Sequence, residues 1–390
     1  FQAEDGIRDD ISCLVGSEMC IRDRFYFIWL DGHLEAPADP DDDARGVGGE
    51  VWSVHGGGFY HAQKYRVAPP RLPNRRHWFK WEAYTTWISG MVLLALVYWH
   101  GARVYRLPGP DGLSVSAAVA IAIAFIVGGW FVYDLLCKSP LARDTRVFAG
   151  VLLLLSTLLA WGLCELYSGR GAYIHFGAVL GTIMVANVFF VIIPGQKKMV
   201  AAAERGELPD PEPGIRARQR SVHNTYFTLP VLFVMTSNHY AMAYGHEYNW
   251  VILVGISVAG ALIRVWFVER HKGAASPWPV AVAGVILVAI AVAIAPRAAG
   301  TGASADMDQV RNVINARCTA CHSSAPVHPA FPVAPLGIMF DTDEQIIADA
   351  ERIYQQTVVT RVMPIGNLTA MTEEERQVLD AWYQGLQERP

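Results

Sequence analysis

Seven predominantly apolar stretches, at about residues 82–100, 115–137, 147–167, 173–193, 225–243, 249–269 and 278–295, constrain this chain more than any other feature. Each approaches or exceeds the roughly 20 helical residues that cross the hydrocarbon core of a bilayer, and runs of this length exclude barrel strands. The sequence therefore predicts a polytopic bundle of membrane helices. With 52% hydrophobic and only 17% charged residues, the chain is too apolar for an ordinary soluble enzyme of 390 residues.

Lys and Arg gather in alternate connections, 64–80, 138–146, 197–220 and 270–272. This pattern is a topology signal and argues against nucleic-acid binding; it places those connections in the cytoplasm. The opposite connections, 101–114, 168–172 and 244–248, carry fewer cations in spite of Arg103 and Arg106. The seventh helix then leaves on the far side of the membrane. Everything after Arg297 is expected in the periplasm of a bacterial inner-membrane protein.

Phe1–Arg24 show neither apolar periodicity nor the layout of a signal peptide; they resemble a translated sequencing adapter and are set aside as a non-native leader. Phe25–Leu30 read as the end of a span, so an intact parent would have eight spans where seven are complete here. The expected organisation is a truncated first span with a Gly/His loop at 25–81, a membrane domain at 82–296, an Ala/Gly/Ser-rich linker at 297–305 and a C-terminal domain at 306–390. The fold class expected is all-α.

Six cysteines do not make a disulfide framework. Cys137 and Cys164 sit inside apolar runs and Cys13 and Cys20 in the leader, which leaves Cys318 and Cys321 as the one close pair in a polar region. With Thr319, Ala320 and His322 they form C-x-x-C-H, in which two thioethers tether a porphyrin and the adjacent imidazole ligates its iron. The competing reading is a zinc half-site, but apart from His328 no second Cys or His pair follows at zinc spacing. Met307–Arg317 reads as a short helix leading into the motif, and Thr372–Leu386 as a closing helix with a Thr372/Glu375 capping box. A class I-like cytochrome c domain with one covalently attached haem c is expected. Met363, before Pro364, is the preferred sixth ligand, with Met339 and Met371 as competitors.

A haem domain carries electrons, so chemistry is sought in the membrane part. Between Val54 and Tyr65, Gly56, Gly57 and Gly58 accompany His55, His61 and Lys64, a set able to bind an anion or move protons. The plainer reading is a glycine-rich surface loop, and no phosphate-binding fingerprint is present. His223 and Asn224 open a second candidate, a helix polar at both ends that closes on Ser237-Asn238-His239-Tyr240. His100, His175, His239 and His246 lie within or beside spans, and the reading allows a b-type haem near His175 or His239.

The run Gly46 to His55, the His61-Ala62-Gln63-Lys64-Tyr65 segment, His77 to Thr85 and His223 to Tyr240 together resemble the membrane-bound cytochrome c urate oxidases, the urate hydroxylase PuuD family, from about residue 25 to the C-terminus. The resemblance implies oxidation of urate to 5-hydroxyisourate without hydrogen peroxide, with electrons passing through the fused cytochrome to a downstream cytochrome or terminal oxidase. It carries the haem ligands onto Cys318, Cys321, His322 and Met363. No settled set of urate-binding residues comes with it.

Urate is a planar anion, and His55, His61, Lys64, His223 and Asn224 are the expected cytoplasmic-side residues that bind and deprotonate it. Such a site stands about 30 Å of hydrocarbon from a periplasmic haem. Either a b-type haem bridges that gap, or the site opens to the periplasm beside His100, His175, His239 and His246. The rival function is a quinol- or respiratory-chain-linked electron conduit with no urate activity.

Overall fold

The computed structural model describes residues 26–27, 29–73, 76, 78, 80–105, 114–270, 276–295, 305–329 and 331–387. The expected leader at 1–24, Arg106 and the linker up to residue 304 lie outside them.

The first described element that the sequence did not predict is an antiparallel hairpin, β1 (Val47–His55) paired with β2 (Gly58–Tyr65). Gly56 and Gly57 connect the strands with φ of 58° and 80°, the left-handed pair that matches the twist of a two-residue hairpin. The glycines thus have a turn to account for them, without a ligand. The expected all-α class is corrected to mostly helical: the β-branched and aromatic residues Val51, Trp52 and Val54 ahead of the Gly56-Gly57 pair carry a strand-and-turn signal. Glu35 bridges to Glu50 at the sheet edge, and the short helix Pro40–Ala44, capped by Asp39, packs on β1.

Seven helices follow in the places of the expected spans: α1 (Trp81–Leu93), α2 (Val115–Lys138), α3 (Thr145–Leu166), α4 (Gly169–Glu204), α5 (Glu212–Thr236), α6 (Asn249–Arg270) and α7 (Trp278–Ile294). Among the described residues four, α2, α3, α4 and α6, are long and apolar enough to cross a membrane, which makes this a multi-pass membrane protein. The other three fall short of that standard for different reasons. α1 has 13 residues before passing into a π-helical turn at Leu94–Trp99, α7 has 17, and α5 begins in a charged segment holding Arg216, Arg218 and Arg220.

Two boundaries also move. α4 runs to Glu204 and α5 starts at Glu212, because the cationic ends of both stay helical beyond their apolar parts. Ser114 and Asp144 cap α2 and α3 by accepting from the amides of Ala117 and Arg146.

The bundle core centres on α4, where Tyr173, Phe176 and Val179 are fully buried. Small residues let helices approach closely: a Cβ on Gly177 would stand 2.6 Å from Val234 of α5, and one on Gly129 of α2 would stand 2.6 Å from Val179.

The C-terminal helices surround a core of their own, built from Val310, Ile314, Phe340, Ile346, Leu379 and Trp382 among others. α8 (Met307–Arg317) starts on an Asp306/Gln309 capping box and α9 (Glu373–Gln387) on the expected Thr372/Glu375 box. This unit meets the bundle at one end. Val362 packs into the bundle core, and the turn Ile365–Asn367 touches both the short helix Ala102–Tyr105 and the start of α4.

Candidate active site

Cys318 and Cys321 follow α8 as free thiols, and the backbone turn between them brings the His322 amide to 2.8 Å from the Cys318 carbonyl. His322 Nδ1 donates to the Ile338 carbonyl at 3.1 Å, because a carbonyl can only accept. That bond fixes the tautomer and leaves Nε2 with its lone pair for a metal.

The three methionines separate by position. Met371 is buried in the C-terminal core, as a packing residue. Met339 lies between Ile338 and Phe340, both of which bond His322, so its segment is on the side of that histidine. Met363 is half-buried in the loop that faces the bundle, its amide bonded to Gln356 and its carbonyl to Arg376. Two free thiols, an imidazole with Nε2 available and a thioether in a fixed loop fit a c-type haem.

The residues expected to handle the substrate fall into two groups. His55 is exposed at the hairpin tip. His61 stacks on Trp52 with ring centroids 4.1 Å apart and donates from Nε2 to Glu50 Oε2 at 2.8 Å. Glu50 also accepts from the Ala38 amide at 3.1 Å; this backbone bond and the His61 ring hold its carboxyl below the usual carboxylate range. Lys64 is exposed and pairs with Asp31 at 2.6 Å.

His223 and Asn224 instead belong to a buried polar cluster at one end of the bundle. His223 Nδ1 is 2.8 Å from the Tyr133 hydroxyl and its ring stacks on Phe148. Asn224 is committed at both ends of its amide, accepting from Asn187 Nδ2 at 2.8 Å and donating to the Met184 carbonyl at 2.9 Å. The cluster includes Arg220, which sequence reasoning missed; it donates to Asp134 at 2.7 Å, and Asp134 also pairs with Lys138. Asn187 sits in a π-helical turn of α4, Asn187–Ile192.

The other end of the bundle holds a second polar cluster, and here too a π-turn supplies residues. Tyr98 and Trp99, from the turn that extends α1, face α4 and α5. Arg170 Nε donates to the Tyr98 hydroxyl at 3.2 Å and to Asn238 Oδ1 at 3.0 Å, and its guanidinium lies over the rings of Tyr98 and Tyr105. Neither Arg170 nor Tyr98 stood among the expected site residues, because the sequence gives no sign that positions so far apart converge.

His175 lies beside them, buried and stacked on Tyr167. Its Nδ1 donates to the Gly171 carbonyl at 2.7 Å, which leaves Nε2 to accept from Trp99 Nε1 at 3.2 Å. Both ring nitrogens are engaged, so His175 does not fit as a ligand to a b-type haem. His100 and His239 are exposed and His246 is half-buried near this end; among the described residues no group of three or more His, Cys, Asp or Glu is placed to hold a metal ion.

Between the two clusters runs a cavity of about 240 Å³, walled by α1, α4 and α5. Its wall is largely apolar, with Trp87, Thr86 and Thr228 along it and Tyr98 and Asn238 at one end. A site of this kind orients a ligand through a few polar groups set in an apolar surface.

Compared with known protein families, residues 14–295 match the family described as urate oxidase N-terminal, a stretch that takes in the hairpin and the whole bundle. No curated protein and no solved structure matches the chain.

Proposed function

The chain belongs to the urate oxidase N-terminal family, and from that premise we propose that it is a membrane urate oxidase whose electrons leave through a c-type haem held by its own C-terminal domain. Membership makes it an oxidoreductase with urate as the implied substrate. The reaction is urate plus water to 5-hydroxyisourate, two protons and two electrons, with a downstream cytochrome or terminal oxidase as final acceptor and no hydrogen peroxide formed.

The observation that carries this reading is the docking of the Met363 loop on the bundle: the turn Ile365–Asn367 touches Ala102–Tyr105 and the start of α4. In this reading the haem is tethered by Cys318 and Cys321 and ligated by His322 and Met363. Bound there, the haem would supply a one-electron acceptor. His322 is held for that task by Ile338, and Arg376 and Gln356 fix the loop that carries Met363.

All seven helices α1–α7 cross the membrane in this proposal, with the Arg220 end of the bundle in the cytoplasm and the Arg170 end in the periplasm beside the cytochrome. The hairpin residues His55, His61 and Lys64 then stand on the cytoplasmic side, together with His223 and Asn224. A urate anion would meet an arginine and an asparagine at either end. Membranes carrying the protein should consume urate and oxygen while no hydrogen peroxide accumulates; peroxide formed in step with urate loss would contradict the electron route.

A further inference from the structure

We propose that urate binds at the Tyr98–Asn238 end of the cavity, with Arg170 as its counter-charge, rather than among the expected residues at the Arg220 end. This rests on the functional reading above and gives that reading its site.

The two arginines differ in what already neutralises them. Arg220 is paired with Asp134, and every polar atom of neighbouring Asn224 is used by Asn187 and Met184. The charge of Arg220 is therefore already neutralised within the protein. Among the described residues Arg170 has no carboxylate partner; a tyrosine hydroxyl and an amide oxygen satisfy its Nε but leave its charge standing. A cation set in an apolar bundle without a counter-ion is costly unless an anion joins it.

The donors point the same way. Asn238 turns Oδ1 to both Tyr98 and Arg170, so its NH₂ makes no protein hydrogen bond among the described residues and remains a donor at the cavity wall. An amide of this type pairs with the edge of a purine ring, and the surrounding aromatic rings suit a planar ligand. Nearby, the Ser168 hydroxyl is buried with no hydrogen-bond partner. The cavity, at about 240 Å³, falls just under the roughly 300 Å³ at which sites for drug-sized molecules begin.

Position completes the argument. Tyr105 packs against Tyr98, the rings tilted and their centroids 4.6 Å apart, and ends the short helix on which the Met363 loop rests. Oxidation here delivers electrons at the haem-facing end. Oxidation beside Asn187 would add roughly 25 Å, seventeen residues of helix at 1.5 Å each, to the path. No second haem is then needed to cross the bundle.

The test uses the full-length holoprotein in detergent with its haem kept chemically reduced, so that urate binds without turnover, and reads affinity by equilibrium dialysis with radiolabelled urate. Arg170→Gln should weaken binding by about tenfold or more, while Arg170→Lys, which keeps the charge, should stay within about threefold of the wild type. Ala178→Phe, which grows into the cavity, should abolish binding.

Wild-type affinity in both Arg170→Gln and Ala178→Phe would overturn the site while leaving the function intact. So would loss of binding in both Arg170 variants with binding kept in Ala178→Phe, since that assigns the arginine a purely structural part. If the wild type neither binds urate nor has its haem reduced by urate, the functional reading falls and the site falls with it.

Discussion

Arg170 and Asn238 are 68 residues apart in sequence and 3.0 Å apart in the fold, where Nε of the arginine donates to the amide Oδ1. The bond ties the start of α4 to the turn Ser237–His239 that follows α5, beside the cavity. Asn238→Asp keeps its geometry and adds the carboxylate partner that Arg170 lacks among the described residues. The internal ion pair should then compete with the substrate and lower urate affinity by about tenfold or more, with the thermal midpoint held or raised. Undiminished affinity in this variant would show that the charge of Arg170 is not used.

At the opposite end Asp134 neutralises Arg220, whose side chain is 5% exposed. Asp134→Ala strands that charge among Trp130 and Tyr133 and should cost about 3 kcal/mol of stability, the usual penalty for breaking a buried pair from one side. Unfolding titrated with a denaturing detergent measures it. Replacing both partners with apolar residues should recover most of the loss; equal stability of the single variant and the wild type would mean that water reaches Arg220.

The hairpin has its own pH dependence. Glu50 titrates below its ordinary value of 4.5, through the Ala38 amide first and His61 second. A carboxyl with a depressed folded pKa adds stability that is fully present above its unfolded pKa and is lost as pH falls through the folded one. Hydrogen exchange at the Ala38 amide should therefore stay slow down to about pH 4.5 and accelerate below it. In Glu50→Gln the acceleration should vanish, and an unaltered pH profile would remove Glu50 as its cause.

Met363 and Met371 should fail differently. Met363→Ala is expected to abolish the low-spin methionine–histidine spectrum of the haem while the C-terminal helices stay folded. Met371→Ala should keep that spectrum and cost about 2–5 kcal/mol, the range for emptying a packed core position. The reverse result would exchange the two roles.

Much of this was legible in sequence because it is local. Cys318 to His322 is a contiguous motif, the Thr372/Glu375 capping box spans one helical turn, and each apolar run announces its helix. The hairpin is legible too, since Gly56-Gly57 after a β-branched and aromatic run is a turn signal, but the same glycines equally suit an anion-binding or plain surface loop. Arg170 is not legible: its meaning depends on Asn238 and on the absence of a carboxylate partner among the described residues, and neither is visible along the chain. Asn187 and Tyr98 owe their placement to π-turns, which leave no periodic signature. His175 shows the converse, an intramembrane histidine that invites a cofactor reading until Trp99 and Gly171 are seen on its two nitrogens.

The most direct test of the central claim is optical. Membranes carrying the protein, with the c-type haem oxidised and oxygen removed, are mixed with urate and the haem absorption is followed. The account predicts reduction of the haem by urate, slowed in Arg170→Gln at urate concentrations that just saturate the wild type. A haem that stays oxidised with urate but is reduced by a quinol would contradict it and make the chain an electron conduit.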